Sequence, residues 1–232
     1  MPGTGGRSRK ATARTSAGRK RAETWRLKRM LATENDLWAS GVQYVAGIDE
    51  VGRGPLAGPV LAAAVILPPG TAIRGVDDSK RLPAERREAL FHDIRSAAVC
   101  IGVGAASCRE IDRINILRAT HMAMQRALSH LRVTPERVIV DGLRVPVLPE
   151  DHIAIIDGDE KVHCVACASI IAKVVRDRLM TRLSRRYPAY GWENNAGYGT
   201  PDHRDAILSM GLTPHHRRSF ELNMQITFDL LA

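Results

Sequence analysis

Residues 44–54 read Y-V-A-G-I-D-E-V-G-R-G, and no other stretch constrains this chain as much. An apolar run carries two adjacent carboxylates, Asp49 and Glu50, into a turn that needs glycine. Neighbouring acids at the end of a buried strand repel each other and resist desolvation. A chain that keeps such a pair holds it with a cation or uses it in chemistry. The question for the remaining sequence is whether other carboxylates converge on the same place.

The length, 232 residues, suits one domain with appendages. No apolar run approaches the roughly 20 residues that cross a bilayer, so no membrane span is expected. The N-terminus has no apolar segment of the secretory kind, which makes a cytoplasmic location the expectation. Cys100, Cys108, Cys164 and Cys167 then read as reduced thiols.

The formal charge of +9 has an address. Residues 1–30 carry ten Lys or Arg and one acid, Glu23, a surplus equal to the whole net charge. The other 202 residues hold 24 basic and 24 acidic side chains. Residues 1–22 lack Leu, Ile, Val and Phe, so they are expected to be a disordered basic arm that binds phosphate backbones without sequence preference. The alternatives are a dispensable extension or a true start at Met30. The body is expected to run over 23–222, with a tail at 223–232.

The periodicity predicts a helix over 24–39 and strands over 44–49 and 59–67, joined by a tight turn as an antiparallel hairpin. A helix over 83–96, a strand over 98–106 and one helix over 107–131 follow. Short strands over 137–141 and 153–156 precede a long helix over about 161–186. The order implies an α/β fold, a mixed sheet with helices packed on it.

Three apolar strands end on acid: Asp49-Glu50, then Asp141 in V-I-V-D-G, then Asp157 and Asp159 in A-I-I-D-G-D. One Asp-Gly alone is an ordinary turn. Three strand ends on one sheet can share an edge. Clustered carboxylates need divalent cations, and an all-oxygen set suits Mg²⁺ or Mn²⁺ rather than zinc. Two such ions are the usual apparatus for in-line attack on a phosphodiester. Gly52-Arg-Gly54-Pro-Leu-Ala57 also matches a dinucleotide-binding turn, with Asp77 at suitable spacing. That reading fails because a strand, not a crossover helix, follows, and because the acids would repel a pyrophosphate.

At this point the chain resembles the bacterial ribonuclease HII family. The matching motifs are G-I-D-E-V-G-R-G-P-L-A-G-P-V (47–60), D-D-S-K-R-L (77–82), I-N-I-L-R-A-T-H-M-A-M (114–124) and V-I-V-D-G (138–142). G-D-E-K (158–161), A-S-I-I-A-K-V-V-R-D-R-L-M (168–180), A-G-Y-G-T (196–200) and H-R-R-S-F (216–220) complete the series. The resemblance implies a ribonuclease H-like mixed β-sheet flanked by helices, with a C-terminal helical region. It implies two Mg²⁺ or Mn²⁺ ions held by Asp49, Glu50, Asp141 and Asp159, with Asp157 a decoy. It implies cleavage of the RNA strand of RNA–DNA hybrids and nicking of duplex DNA 5′ of an embedded ribonucleotide, leaving 5′-phosphate and 3′-hydroxyl ends. Gly52, Arg53 and Gly54 would read the 2′-hydroxyl, and Tyr198 would stack on the next deoxyribose. Arg53 has a structural alternative, an ion pair.

His163, Cys164 and Cys167 depart from the family pattern. A zinc or redox site is one reading; cysteines on a buried helix face are the favoured one. Lys161, Ser169, Lys173, Arg176, His216, Arg217 and Arg218 are candidates for phosphate contact. Gln225–Phe228 faintly resembles a peptide that docks on a sliding clamp, although a short amphipathic tail is the plainer reading. A monomer is expected. The rival from another class is a non-catalytic nucleic-acid-binding protein acting through its basic arm.

Overall fold

A five-stranded mixed sheet organises the computed structural model, which describes residue 18 and residues 21–220. The strands are β1 (Val45–Val51), β2 (Val60–Ile66), β3 (Cys100–Ala106), β4 (Arg137–Asp141) and β5 (Ile153–Ile155). They lie in the order β3-β2-β1-β4-β5. β2 is antiparallel to both β1 and β3, whereas β4 runs parallel to β1 and β5 parallel to β4. β1 and β2 are central and covered on both faces, which is why they read as continuous apolar runs rather than alternating ones. Every residue of β2, V-L-A-A-A-V-I, is buried.

The helices are α1 (Ala32–Ala39), α2 (Ala84–Ala97), α3 (Cys108–Ile114), α4 (Ile116–Ser129), α5 (Gly158–Lys161), α6 (His163–Arg186), α7 (Trp192–Asn195) and α8 (Pro201–Met210). α4 covers one face of the sheet: Ala119, Ala123, Met124 and Ala127 pack on Ala46, Ile48, Ala62, Ala64, Val138 and Val140. α6 and α2 cover the other, where Leu90, Ile94, Ile170 and Ile171 meet Leu61, Ala63 and Val65. Small side chains let α6 lie almost on the backbone of β1. A Cβ on Gly47 would overlap the Cys164 carbonyl group and the Val165 amide nitrogen. Among the described residues no helix is long and apolar enough to cross a membrane.

The sheet, its antiparallel hairpin and the flanking helices agree with the expected architecture. Five local expectations need correction. The helix expected over 24–39 is interrupted at Leu31, and α1 starts only at Ala32. The helix expected over 107–131 is two helices, broken at Asn115, whose φ of 68° and ψ of 165° lie outside any helical conformation. The Asn115 side chain then caps α4 by accepting the Arg118 N–H at 3.0 Å. The hairpin is closed not by a tight turn but by an eight-residue loop, 52–59, between β1 and β2. The long helix starts at His163, after the separate turn α5. Residues 21 and 22, assigned to the arm, are helical, as is residue 18. The rest of the arm and Gln225–Phe228 lie outside the described residues.

Gly47→Ala should cost about 3 kcal/mol, the upper end of overpacking costs, and lower the melting temperature by roughly 6–12 °C. Thermal unfolding followed by circular dichroism checks this. An unchanged midpoint would contradict the close approach of β1 and α6.

Candidate active site

Parallel register builds the site. Ile48 pairs with Val140, so Asp49 and Asp141, one residue further along, come abreast at the carboxyl ends of β1 and β4. Asp49 is 5% exposed; Glu50 and Asp141 are half-buried. Carboxylate oxygens of Asp49, Glu50 and Asp141 all lie within 4.8 Å of one another. Asp141 Oδ1 accepts the Gly158 N–H at 2.6 Å, which ties the end of β4 to α5. Asp49 Oδ1 accepts the Glu50 N–H at 2.7 Å. A hydrogen bond from Ser169 on α6 steadies Asp49, and the Ser169 hydroxyl sits 3.0 Å from that of Ser79.

The electrostatics record what the cluster costs. Burial, then the charges of Glu50 and Asp141, push the Asp49 carboxyl well above its usual range. Burial also raises Glu50, against the opposing pull of Arg53, whose Nη1 lies 3.3 Å away. Asp159 is buried and pushed up to about 6, first by burial and then by Asp141 and Asp78. Asp159 interacts with the trio through charge, but its oxygens are not among those that meet. It sits in the first turn of α5 rather than at a strand end. Asp157 faces away, exposed, with Lys161 at 3.2 Å.

The donor set is all carboxylate oxygen, which fits hard divalent cations such as Mg²⁺ or Mn²⁺. Among the described residues it is the only group of three or more Asp, Glu, His or Cys side chains close enough to hold an ion. His163, Cys164 and Cys167 form no such group. All three are fully buried on α6, and His163 Nε2 accepts the Ile73 N–H at 3.0 Å. Glu34, pushed up to about 7 by burial, accepts the Cys164 N–H at 3.2 Å. The zinc or redox alternative therefore has no geometry behind it, and the cysteines pack as buried thiols.

Beside the acids, the 52–59 loop is held from beneath by two buried arginines. Arg176, wholly buried, donates to the carbonyls of Pro59 (3.1 Å), Ala196 (2.9 Å) and Ala57 (3.1 Å). Arg217, 2% exposed, donates to the carbonyls of Gly58 (2.9 Å), Arg53 (2.8 Å) and Gly52. Burial, then the neighbouring Arg176, lowers the Arg217 guanidinium to about 10. Gly52 has φ +88°, and a Cβ there would run into the Arg176 guanidinium, so glycine is required twice over.

These contacts correct part of the phosphate-contact expectation. Arg176, Arg217, His216 and Ser169 are buried and satisfied inside the protein. Lys161 and Lys173 are paired with Asp157 and Asp177. Arg218 stays exposed.

Tyr198 is 46% exposed, and its ring edge lies 3.7 Å from where a Gly54 Cβ would stand. Glu50, Arg53 and Asp141 also line a cavity of about 440 Å³ whose other wall includes Leu117, His121, Leu143 and Arg144. Lys80 was not singled out from the sequence, although it lies in the motif D-D-S-K. Burial alone would lower its ammonium, but Asp78, Asp159, Asp49 and Asp141 outweigh burial and raise it. The exposed Lys80 is thus a cation whose charge acts on the acid cluster. Its signal was a lysine after two acids, which is too common to stand out.

A family model described as Ribonuclease HII matches residues 46–223. The Ribonuclease HII of Geobacillus kaustophilus is 52% identical over 203 residues, 87% of this chain and 77% of that one. Among solved structures, ribonuclease H2 from Pyrococcus horikoshii superposes with a TM-score of 0.68 at 28% identity, over 81% of this chain and 99% of that one. The PCNA:RNase HII complex from Archaeoglobus fulgidus gives a TM-score of 0.64 at 29% identity, over 80% and 99%.

The raised carboxyls make a sign-definite prediction. A folded-state pKa above the unfolded value means the folded protein keeps protons the unfolded chain has lost. The site's contribution therefore falls as pH rises from about 4 through the folded pKa, about 6 for Asp159. With chelator present, Asp49→Asn should melt above the unsubstituted protein, by about 2–4 °C per kcal/mol of repulsion relieved. The gap should widen from pH 5 to pH 8. Mn²⁺ at a hundredfold excess over its dissociation constant should stabilise the unsubstituted protein by about 2.7 kcal/mol and the variant far less. A variant that melts lower at every pH would contradict the repulsion.

Proposed function

Because this chain belongs to the ribonuclease HII family, we propose that it is a divalent-metal-dependent endoribonuclease that cleaves the RNA strand of RNA–DNA hybrids and nicks duplex DNA 5′ of embedded ribonucleotides. The observation that carries the reading is the meeting of Asp49, Glu50 and Asp141 within 4.8 Å at the carboxyl ends of two parallel strands. These three would hold the metal, with Asp159 adding charge from α5. Bound divalent ions supply an activated water and stabilise the leaving oxygen, which gives 5′-phosphate and 3′-hydroxyl ends. The choice between Mg²⁺ and Mn²⁺, and the number of ions, two, belong to the proposal.

The chain's own contribution is positioning. Arg217 draws the carbonyls of Gly52 and Arg53 inward. In a trans peptide the following N–H points the opposite way, and no described peptide is cis. The N–H groups of Arg53 and Gly54 are thereby turned outward beside the acids. A 2′-hydroxyl is the group that distinguishes a ribonucleotide, and it accepts such donors. Glycine at 54 lets a sugar approach closely, and the exposed ring of Tyr198 against Gly54 offers a stacking surface for the next deoxyribose. Arg53 pairs with Glu50, so the loop's charge is partly neutralised before substrate arrives. Lys80 offers a cation for a phosphate near the acids.

A pure nucleic-acid binder has no use for buried acids where phosphates must lie, which counts against the non-catalytic alternative. The basic arm contributes nonspecific affinity in this reading. A sliding-clamp contact through Gln225–Phe228 is a minor part of the proposal, with the archaeal complex as the observation in its favour. The proposal also takes the protein to be a monomer acting in the cytoplasm.

The assay is a labelled duplex containing one ribonucleotide, incubated with Mg²⁺, Mn²⁺ or chelator. A nick on the 5′ side of the ribonucleotide, dependent on metal, is expected. Asp49→Asn should lower the rate at least about 1000-fold, the equivalent of about 4 kcal/mol. Cutting of plain DNA, or full activity in the variant, would contradict the proposal. Deleting residues 1–20 removes six Lys or Arg and should flatten the slope of log affinity against log salt by up to about 5 units, without moving the cleavage site. An unchanged slope would exclude the arm from binding.

A further inference from the structure

Behind Tyr198 lies a chain of buried rings with no place in the chemistry above. Trp192 and His203 are wholly buried and His216 is 2% exposed. The Trp192 Nε1–H donates to His203 Nε2 at 3.0 Å. An indole N–H can only donate, so His203 Nε2 carries no proton. The proton of the neutral ring is then on Nδ1, which lies 2.8 Å from the Tyr198 carbonyl oxygen. The Thr213 amide N–H donates to His216 Nδ1 at 2.9 Å, which leaves the His216 proton on Nε2. That nitrogen is 3.1 Å from His203 Nε2. With both histidines neutral, every ring nitrogen has a partner, and the single lone pair of His203 Nε2 is shared between two donors, Trp192 Nε1–H and His216 Nε2–H. Burial, the largest influence on each, lowers both, and His216 falls to about 4.

The chain ends on a residue whose other main-chain hydrogen bonds are local. The Tyr198 carbonyl also accepts the Thr200 N–H at 2.8 Å, and its own N–H donates to the Asn195 carbonyl at 2.8 Å. Both partners belong to the same short segment, which is itself anchored before Tyr198: the Ala196 carbonyl accepts from Arg176 at 2.9 Å and the Gly197 carbonyl accepts the Leu56 N–H at 2.8 Å. The His203 bond is the one that ties the Tyr198 main chain itself to a buried side chain. His216 is followed directly by Arg217, whose guanidinium holds Gly52 and Arg53. Consecutive residues thus set the two halves of the sugar-reading surface: one fixes the Gly-Arg-Gly loop, the other fixes Tyr198 through His203.

We propose that the Trp192–His203–His216 chain is a positioning device for Tyr198, and that His203 thereby sets the preference for a ribonucleotide followed by a deoxyribonucleotide. The inference rests on the stacking role given to Tyr198 under the proposed function. His203 touches no substrate in this scheme; it acts through the Tyr198 carbonyl.

Two substitutions separate positioning from general stability. In His203→Asn the side-chain amide nitrogen stands near Nδ1 and keeps a donor for Tyr198. In His203→Gln the amide stands near Nε2, keeps an acceptor for Trp192, and loses that donor. The readout is the ratio of kcat/KM on a duplex with one embedded ribonucleotide to kcat/KM on a uniform RNA–DNA hybrid, with Mn²⁺ present. His203→Gln should lower the ratio about tenfold, the size expected for one lost hydrogen bond, while His203→Asn stays within about twofold. Added to Tyr198→Ala, His203→Gln should cause no further loss.

Equal effects of Gln and Asn, additive effects with Tyr198→Ala, or an unchanged ratio in folded His203→Gln would each overturn the proposal. If Tyr198→Ala itself leaves the ratio unchanged, the stacking role falls and this inference with it. If only His203→Gln leaves it unchanged, the stacking role stands and the positioning claim alone fails. Should His203→Gln fail to fold by circular dichroism, Trp192→Phe keeps an aromatic ring, removes one of the two donors to His203 Nε2, and should lower the ratio about threefold. No change there would overturn the proposal equally.

Discussion

The parallel pairing of β1 with β4 puts a charge problem at the centre of this protein. Ile48 beside Val140 places Asp49 beside Asp141, and Glu50 follows from the same strand. Burial and mutual repulsion leave Asp49 with a strongly raised pKa. The protein supplies a serine hydrogen bond and a few backbone donors, together with Lys80 and Arg53 at the rim. These groups lessen the repulsion without removing it. A site left short of positive charge, lined only by carboxylate oxygen, is matched to a divalent cation. The tight seat of α6 on Gly47 holds the register that creates the problem.

Two arginines turn an eight-residue loop into a rigid surface. Arg176 and Arg217 satisfy carbonyls that would otherwise be buried without partners, which is where a buried guanidinium's five donors are worth most. Their orientation decides which peptide N–H groups face outward beside the acids. α6 serves both acids and loop: its Ser169 bonds Asp49, and its Arg176 holds the carbonyls of Ala57 and Pro59.

Strands and helices were legible because central strands read as unbroken apolar runs and α4 carries a clean apolar stripe. The convergence of acids was legible because strand ends on one sheet share an edge. What stayed hidden depended on direction rather than identity. Arg176 and Arg217 look like surface cations in a basic segment, and nothing in their neighbours reveals that they turn inward. Asn115 resembles any polar residue within a helix until its φ is known. The expected tight turn overlooked that a Gly-rich loop can be long when side chains satisfy its carbonyls. Asp159 was expected at a strand end, yet it sits one helical turn on and reaches the trio only through charge. Lys80 was concealed because it lies about 30 residues beyond Asp49 in a loop of its own.

The central claim is that Asp49, Glu50 and Asp141 form one cation site. Anomalous diffraction from crystals soaked in Mn²⁺ tests it without reference to activity. Anomalous density is expected between those three carboxylates, within about 2.0–2.6 Å of oxygens from at least two of them. Density elsewhere with the trio empty, or carboxylates splayed apart by charge rather than gathered on the ion, would contradict the account.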